Sequence, residues 1–175
     1  MNEVLIVVDM QNDFIDGSLG TKEAEAIVEH VVEAIDRFEG SVIATRDTHP
    51  ESYLSSREGR FLPVEHCIKD SDGWQIRKEV EEALKKKDAL IIDKPTFGSE
   101  KLVEVLKEMD RKQPIGTVTL LGLCTDICVV SNALLVKAAF PETDIKVLKD
   151  CCAGVTPDSH EAALTTMKMC QIEVL

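Results

Sequence analysis

Aromatic side chains are scarce in this chain of 175 residues: one tryptophan, one tyrosine and five phenylalanines make up 4% of it. Long apolar runs are missing too. The most continuous, Val4–Val8, is too short to span a bilayer or to form the core of an export signal, so no membrane association is expected. Basic residues are outnumbered, with 20 Lys and Arg against 32 Asp and Glu and a net charge of −12. Proteins that bind a phosphate backbone carry a basic surface, so nucleic acid is not expected as a partner. Neither Gly-x-Gly-x-x-Gly nor the phosphate-loop pattern follows any apolar run, which argues against a nucleotide or other organic cofactor. No Pro/Gly-rich linker, repeat or low-complexity tract interrupts the chain, and one domain over residues 1–175 is expected.

Cysteine is present without a pattern. Cys67, Cys124, Cys128, Cys151, Cys152 and Cys170 do not have zinc-finger spacing. Without an export signal, they are expected as reduced thiols in the cytoplasm. For any one of them alone, burial as a small hydrophobe is the ordinary expectation.

The apolar residues alternate between two kinds of segment. Val4–Val8 is a β-branched run of the kind buried on both faces of a sheet. Ala24, Ile27, Val28, Val31, Val32, Ile35 and Phe38 recur at helical spacing, with Gly40 as a stop. Strands are then expected at Ser41–Thr45, Ala89–Asp93, Thr117–Leu121, Ile145–Leu148 and Ile172–Leu175. Helices are expected between them, around Val80–Leu84, after a Ser99 cap, through Val129–Leu134 and after a Thr156-Pro157 start. This order predicts an α/β fold, a mostly parallel open sheet of six strands covered on both faces in three α/β/α layers.

In such sheets, ligands bind beyond the carboxyl ends of the strands. Strand one ends in Asp9, strand two leads to Asp47-Thr48-His49, strand three ends in Asp93-Lys94, and strand four runs into Gly122–Cys128. An acid, a lysine and a cysteine thereby reach one edge. Alone, Asp9 reads as a turn cap, Lys94 as a surface cation and Cys128 as a core thiol. Together they can perform nucleophilic chemistry: a carboxylate takes the thiol proton, and an ammonium favours the thiolate. Cys128 is also expected near a helix N-terminus, which stabilises an anion.

Three segments carry a resemblance: Val8-Asp9-Met10-Gln11-Asn12-Asp13-Phe14, Lys94-Pro95-Thr96-Phe97-Gly98-Ser99 and Gly122-Leu123-Cys124-Thr125-Asp126-Ile127-Cys128-Val129. In this order, each after a strand, they resemble the isochorismatase-like cysteine hydrolases, on the nicotinamidase/pyrazinamidase branch. The resemblance implies Cys128 as nucleophile, Asp9 as acid/base and Lys94 as its partner. It further implies a cis peptide between Leu123 and Cys124, and an oxyanion hole made by the backbone N–H groups of Cys124 and Cys128.

It implies a metal site as well. Asp47-x-His49-Pro50 and Glu65-His66-Cys67 look like that branch's metal segments, with Asp47, His49 and His66 as ligands and Glu58 as a fourth. Such a set suits a divalent metal such as zinc, which in that branch holds the ring nitrogen of the substrate. The chain departs from many nicotinamidases just after Pro50, where Glu51-Ser52-Tyr53-Leu54 stands in place of a further histidine. Phe14, Phe97 and Leu123 are expected to wall the substrate, with Phe61 and Leu62 as weaker candidates. Cys151 and Cys152, expected just past strand five, are read as packing, and His30 and His160 as surface residues. The implied reaction converts nicotinamide to nicotinate and ammonia through a Cys thioester. The same residues acting on another small amide or N-carbamoyl compound form one alternative, and a non-catalytic binding protein another. Assembly into a homo-oligomer is common in the family and is left open here.

Overall fold

The structure, a computed structural model, describes all 175 residues. Its centre is β1 (Asn2–Val8), whose Val4–Val8 segment is almost completely shielded from solvent. The shielding follows from its place in the sheet. β1 lies between β2 (Ser41–Asp47) and β4 (Ile115–Leu123), with β3 (Leu90–Lys94) beyond β2 and with β5 (Asp144–Ala153) and β6 (Glu173–Val174) beyond β4. All five pairings are parallel, and the order is β3-β2-β1-β4-β5-β6. A strand covered by helices on both faces gains nothing from alternation, which is why its sequence is a continuous apolar run.

Helices α3 (Val28–Arg37) and α5 (Lys78–Lys86) pack together on one face, and α6 (Glu100–Lys112), α7 (Val130–Ala139) and α8 (Pro157–Met169) form a second layer. The result is the expected three-layer α/β/α architecture. Hydroxyl caps start several helices. Ser99 Oγ accepts from the Leu102 N–H at 3.1 Å, and Thr156 and Ser159 form a reciprocal capping box. Each such cap contributes ~1 kcal/mol. No helix is long and apolar enough to cross a membrane.

The order of strands reverses direction between β1 and β4, and this switch point opens a crevice beyond the strand ends. Two backbone features shape it. Asp9, the first residue past β1, has a φ of 46°, and Gly122 near the end of β4 has a φ of 118°. A Cβ at Gly122 would stand 2.1 Å from the Val8 carbonyl oxygen, so only glycine lets the two strands approach there. The left-handed turn at a non-glycine residue costs on the order of 1–3 kcal/mol and is held by the surrounding contacts.

Several boundaries differ from the expected ones. The helix expected through Ala24–Phe38 is two helices, α2 (Lys22–Ala26) and α3, separated at Ile27. β2 and β3 extend to include Asp47 and Lys94. β5 extends to Ala153, so Cys151 and Cys152 lie inside the sheet and not past its edge, both buried. The cause is a bulge. Leu120 pairs with Val147 but Gly122 pairs with Cys152, so β5 spends extra residues where β4 spends one. Charged Lys149 and Asp150 fall in that bulge, where they interrupt the apolar pattern.

Candidate active site

Asp9, Lys94 and Cys128 meet at the switch point. Lys94 Nζ lies 2.7 Å from Asp9 Oδ2 and 3.3 Å from Cys128 Sγ. The ammonium also donates to the Thr96 carbonyl at 3.0 Å. Lys94 is 1% exposed and Asp9 not at all, so the ion pair is fully desolvated. Thr45, on β2, donates its hydroxyl to Asp9 Oδ1 at 2.7 Å. Asp9 Oδ2 faces the Lys94 ammonium, and a carboxylate oxygen with two lone pairs can still accept a further proton there.

The electrostatics follow from burial and from this pairing. Burial raises the Asp9 carboxyl above the usual carboxylate range, although the adjacent Lys94 ammonium opposes the shift. Burial alone would lower Lys94; the Asp9 carboxylate, with Cys128 and Asp47 behind it, outweighs that and raises it. Lys94 therefore stays an ammonium ion. Burial, reinforced by the Asp9 charge, pushes the Cys128 thiol well up and so favours the protonated sulfur.

Beyond β4 the peptide between Leu123 and Cys124 is cis. The chain then winds through a wide turn, Thr125–Val129, in which the Val129 N–H donates five residues back to the Cys124 carbonyl at 3.0 Å. Such π-type turns are frequent at functional sites. Cys128 lies inside this turn and not at the start of a regular helix, which begins only at Val130. The N–H of Cys124 donates to no group of the protein. The Cys124 thiol itself is pushed to about 12 by burial and the neighbouring acids.

A second cluster adjoins the first. Asp47, His49 and His66 present ligand atoms that all lie within 4.8 Å of one another, and all three residues are buried. His49 Nε2 is 2.9 Å and His66 Nε2 3.7 Å from Asp47 Oδ2. Glu58, on α4 (Arg57–Phe61), approaches both imidazoles, at 3.6 Å from His49 and 3.7 Å from His66. The ring of His66 is oriented by its other nitrogen, 2.9 Å from the Val64 carbonyl. A carbonyl only accepts, so Nδ1 carries a proton, and Nε2 is the nitrogen turned toward the cluster. This chemistry fits a divalent metal. Lys94 Nζ reaches Asp47 Oδ1 at 3.5 Å, which joins the two clusters. His49 and Lys94 outweigh the effect of burial on Asp47 and hold its carboxyl below the usual range.

The residues that position this cluster were not singled out in the sequence. Gln11 is fully buried, and its amide donates to the carbonyls of Asp47 at 2.8 Å and Trp74 at 2.9 Å and accepts from the Asp47 N–H at 2.7 Å. Asp13 accepts from the Cys67 N–H at 2.7 Å, next to His66. Their signal was only their place in the segment after β1.

Both clusters face a cavity of about 230 Å³. Cys128, Cys124, Asp47, Glu58 and His66 supply its chemistry, and Phe14, Leu19, Phe61, Leu62, Phe97 and Ile127 supply apolar walls. Phe14 and Phe97 both line this cavity. Leu123 does not: it is fully buried in the core, and Cys124 and Ile127 take the wall position assigned to it. Leu123 is still paired in β4 with Ala153, and its side chain belongs to the hydrophobic core. His30 is exposed, as expected, but His160 is partly buried and its Nδ1 lies 2.8 Å from the Thr125 hydroxyl.

Residues 3–175 match the isochorismatase domain family. The chain belongs to that family. A nicotinamidase/pyrazinamidase of Mycobacterium tuberculosis is 30% identical to it over 186 residues, covering 98% of this chain and 97% of its own. Among solved structures, the pyrazinamidase of Pyrococcus horikoshii in complex with zinc superposes with a TM-score of 0.83 at 31% identity, covering 100% of this chain and 99% of that one. The nicotinamidase/pyrazinamidase of Bacillus subtilis gives 0.85 at 25% identity and covers 99% of both chains. Within the isochorismatase family the chain lies on the nicotinamidase/pyrazinamidase branch.

Proposed function

We propose that this amidohydrolase of the isochorismatase family converts nicotinamide to nicotinate and ammonia, and that it does so as a single-domain enzyme with Cys128 as nucleophile. The observation that carries the proposal is Lys94 Nζ, bound to Asp9 and in contact with the Cys128 sulfur, beside a small apolar cavity. The named relatives and the Asp47, His49, His66 cluster support the substrate class.

The chemistry runs in two halves. Asp9 Oδ2 takes the proton from the Cys128 thiol as the sulfur attacks the carboxamide carbon. The carbonyl electron pair moves onto oxygen, where the backbone N–H groups of Cys124 and Cys128 receive it. Donors of this kind are worth ~2.7–4 kcal/mol each in the transition state. Protonated Asp9 then delivers its proton to the nitrogen, the C–N bond breaks, and ammonia leaves a thioester on Cys128. In the second half Asp9 takes a proton from water, the hydroxide adds to the thioester carbon, and the C–S bond breaks. The acid departs, and the sulfur recovers the proton held by Asp9. Lys94 keeps its charge throughout, pairing first with the carboxylate and then with the thiolate.

Asp47, His49 and His66, with Glu58 beside them, would hold the divalent metal, for which zinc is the proposed identity. When bound, it supplies a Lewis-acid contact for the ring nitrogen of a pyridine or pyrazine amide. Phe14 and Phe97 flank the flat ring, and the apolar walls exclude water.

Ammonia release from nicotinamide, measured before and after dialysis against a chelator and again with zinc restored, tests this reading. Turnover that falls with chelation and returns with zinc supports it. No turnover with metal restored would transfer the machinery to another small amide or N-carbamoyl substrate.

A further inference from the structure

The nucleophile and its lysine come from segments more than 30 residues apart in sequence. Lys94 closes β3, after which the chain continues through Pro95, Thr96, Phe97 and Gly98 as a loop without regular structure until α6 begins. Cys128 lies in the wide turn between β4 and α7. A contact of 3.3 Å between such segments needs something to hold their spacing.

One side chain spans both. Asn132, on the first turn of α7, is 1% exposed and uses all of its amide. Its Nδ2 donates to the Cys128 carbonyl at 2.8 Å and to the Phe97 carbonyl at 3.1 Å. Its Oδ1 accepts from the Ser99 N–H at 2.9 Å. One residue thereby bonds three backbone groups: one belongs to Cys128 itself, and two to the segment that follows Lys94. The loop is also held from within, because Lys94 Nζ donates to the Thr96 carbonyl. Phe97, fixed by the same amide, lines the cavity.

We propose that Asn132 is a positioning residue that sets the distance between the Cys128 sulfur and the Lys94 ammonium, and the placing of Phe97, by stapling the nucleophile's turn to the loop after Lys94. The proposal rests on Cys128 being the nucleophile. It does not depend on which amide is hydrolysed. An aliphatic residue here would leave these three backbone groups without this partner, and the loop and turn would separate to find water. The sulfur would then lose the cation that favours its thiolate.

Alkylation of Cys128 by iodoacetamide, followed by peptide mapping across pH 6–10, reads that effect without any amide substrate. Asn132→Ala and the milder Asn132→Asp, which keeps the acceptor but loses both donors, are compared with Val136→Ala. Val136 is fully buried on the same helix. It makes none of these hydrogen bonds, so it matches the loss of stability alone. In the Asn132 variants, Cys128 should alkylate about tenfold more slowly at neutral pH, with the profile displaced upward by about one pH unit. Val136→Ala should keep the wild-type profile. Where nicotinamide turnover is measurable, the Asn132 variants should lose it in kcat more than in KM. Asn132 variants that lose stability like Val136→Ala yet alkylate like the wild type would overturn the proposal and leave Asn132 a structural cap. Absence of nicotinamide turnover in the wild type would count against the substrate assignment and not against this result.

Discussion

Lys94 lies 2.7 Å from Asp9 in a space closed to water, and this pair stands at the joint between stability and chemistry. Two charges without solvent hold each other in place, and removal of either strands the other. Lys94→Met should therefore destabilise the fold by ~3–5 kcal/mol in denaturant unfolding, besides abolishing turnover. Asp9→Leu combined with Lys94→Met should be less destabilised than the sum of the single changes, because no unpaired charge remains. Strict additivity would mean that the two groups do not depend on each other.

Metal binding should divide the cluster unequally. Asp47, His49 and His66 present ligand atoms that converge, while Glu58 stands at their margin with its side chain 24% exposed. His66→Ala should abolish stoichiometric zinc binding by elemental analysis, and Glu58→Gln should weaken it without abolishing it. Zinc should raise the unfolding temperature of the wild type and leave that of His66→Ala unchanged, since only the folded chain gathers the ligands.

Cys152 offers a test by pH. Burial pushes its thiol from an ordinary value of 9.0 up to about 12 in the folded chain. Between those values the unfolded chain releases this proton and the folded chain keeps it, so stability must fall as pH rises through that window. Its contribution to the slope approaches ~1.4 kcal/mol per pH unit. Cys152→Ala should unfold with a shallower decline from pH 9 to 10.5 than the wild type. An unchanged slope would mean that this thiol is accessible in the native state.

The sequence made the cluster of Asp9, Lys94 and Cys128 visible because each member is bound to a strong local signal. Asp9 ends a run of five apolar residues, Lys94 ends Leu90-Ile91-Ile92-Asp93, and the Cys128 segment follows the apolar residues of β4. The rules for parallel sheets then bring such ends to one edge. The end of β5 was not legible, because its bulge places charged residues inside a strand. Leu123 was misplaced because the end of β4 was set too early: it is still a strand residue, and its side chain lies in the hydrophobic core. Gln11, Thr45 and Asn132 carry no pattern of their own. Each has at least one partner 33 or more residues away, and a single amide or hydroxyl in the sequence does not announce such a partner. The proposed metal ligands fall in between: Asp47 ends a strand and His49 follows it, but His66 sits in a loop-rich stretch and was legible only through the family resemblance.

The measurement closest to the central claim is ammonia release by Cys128→Ala beside the wild type, both shown to be folded by circular dichroism. The mutation removes one sulfur atom from the floor of the cavity and leaves the Asp9–Lys94 pair and the Asp47, His49, His66 cluster intact. The account predicts wild-type turnover of nicotinamide and none above blank in the mutant. Ammonia release at a wild-type rate by folded Cys128→Ala would contradict it.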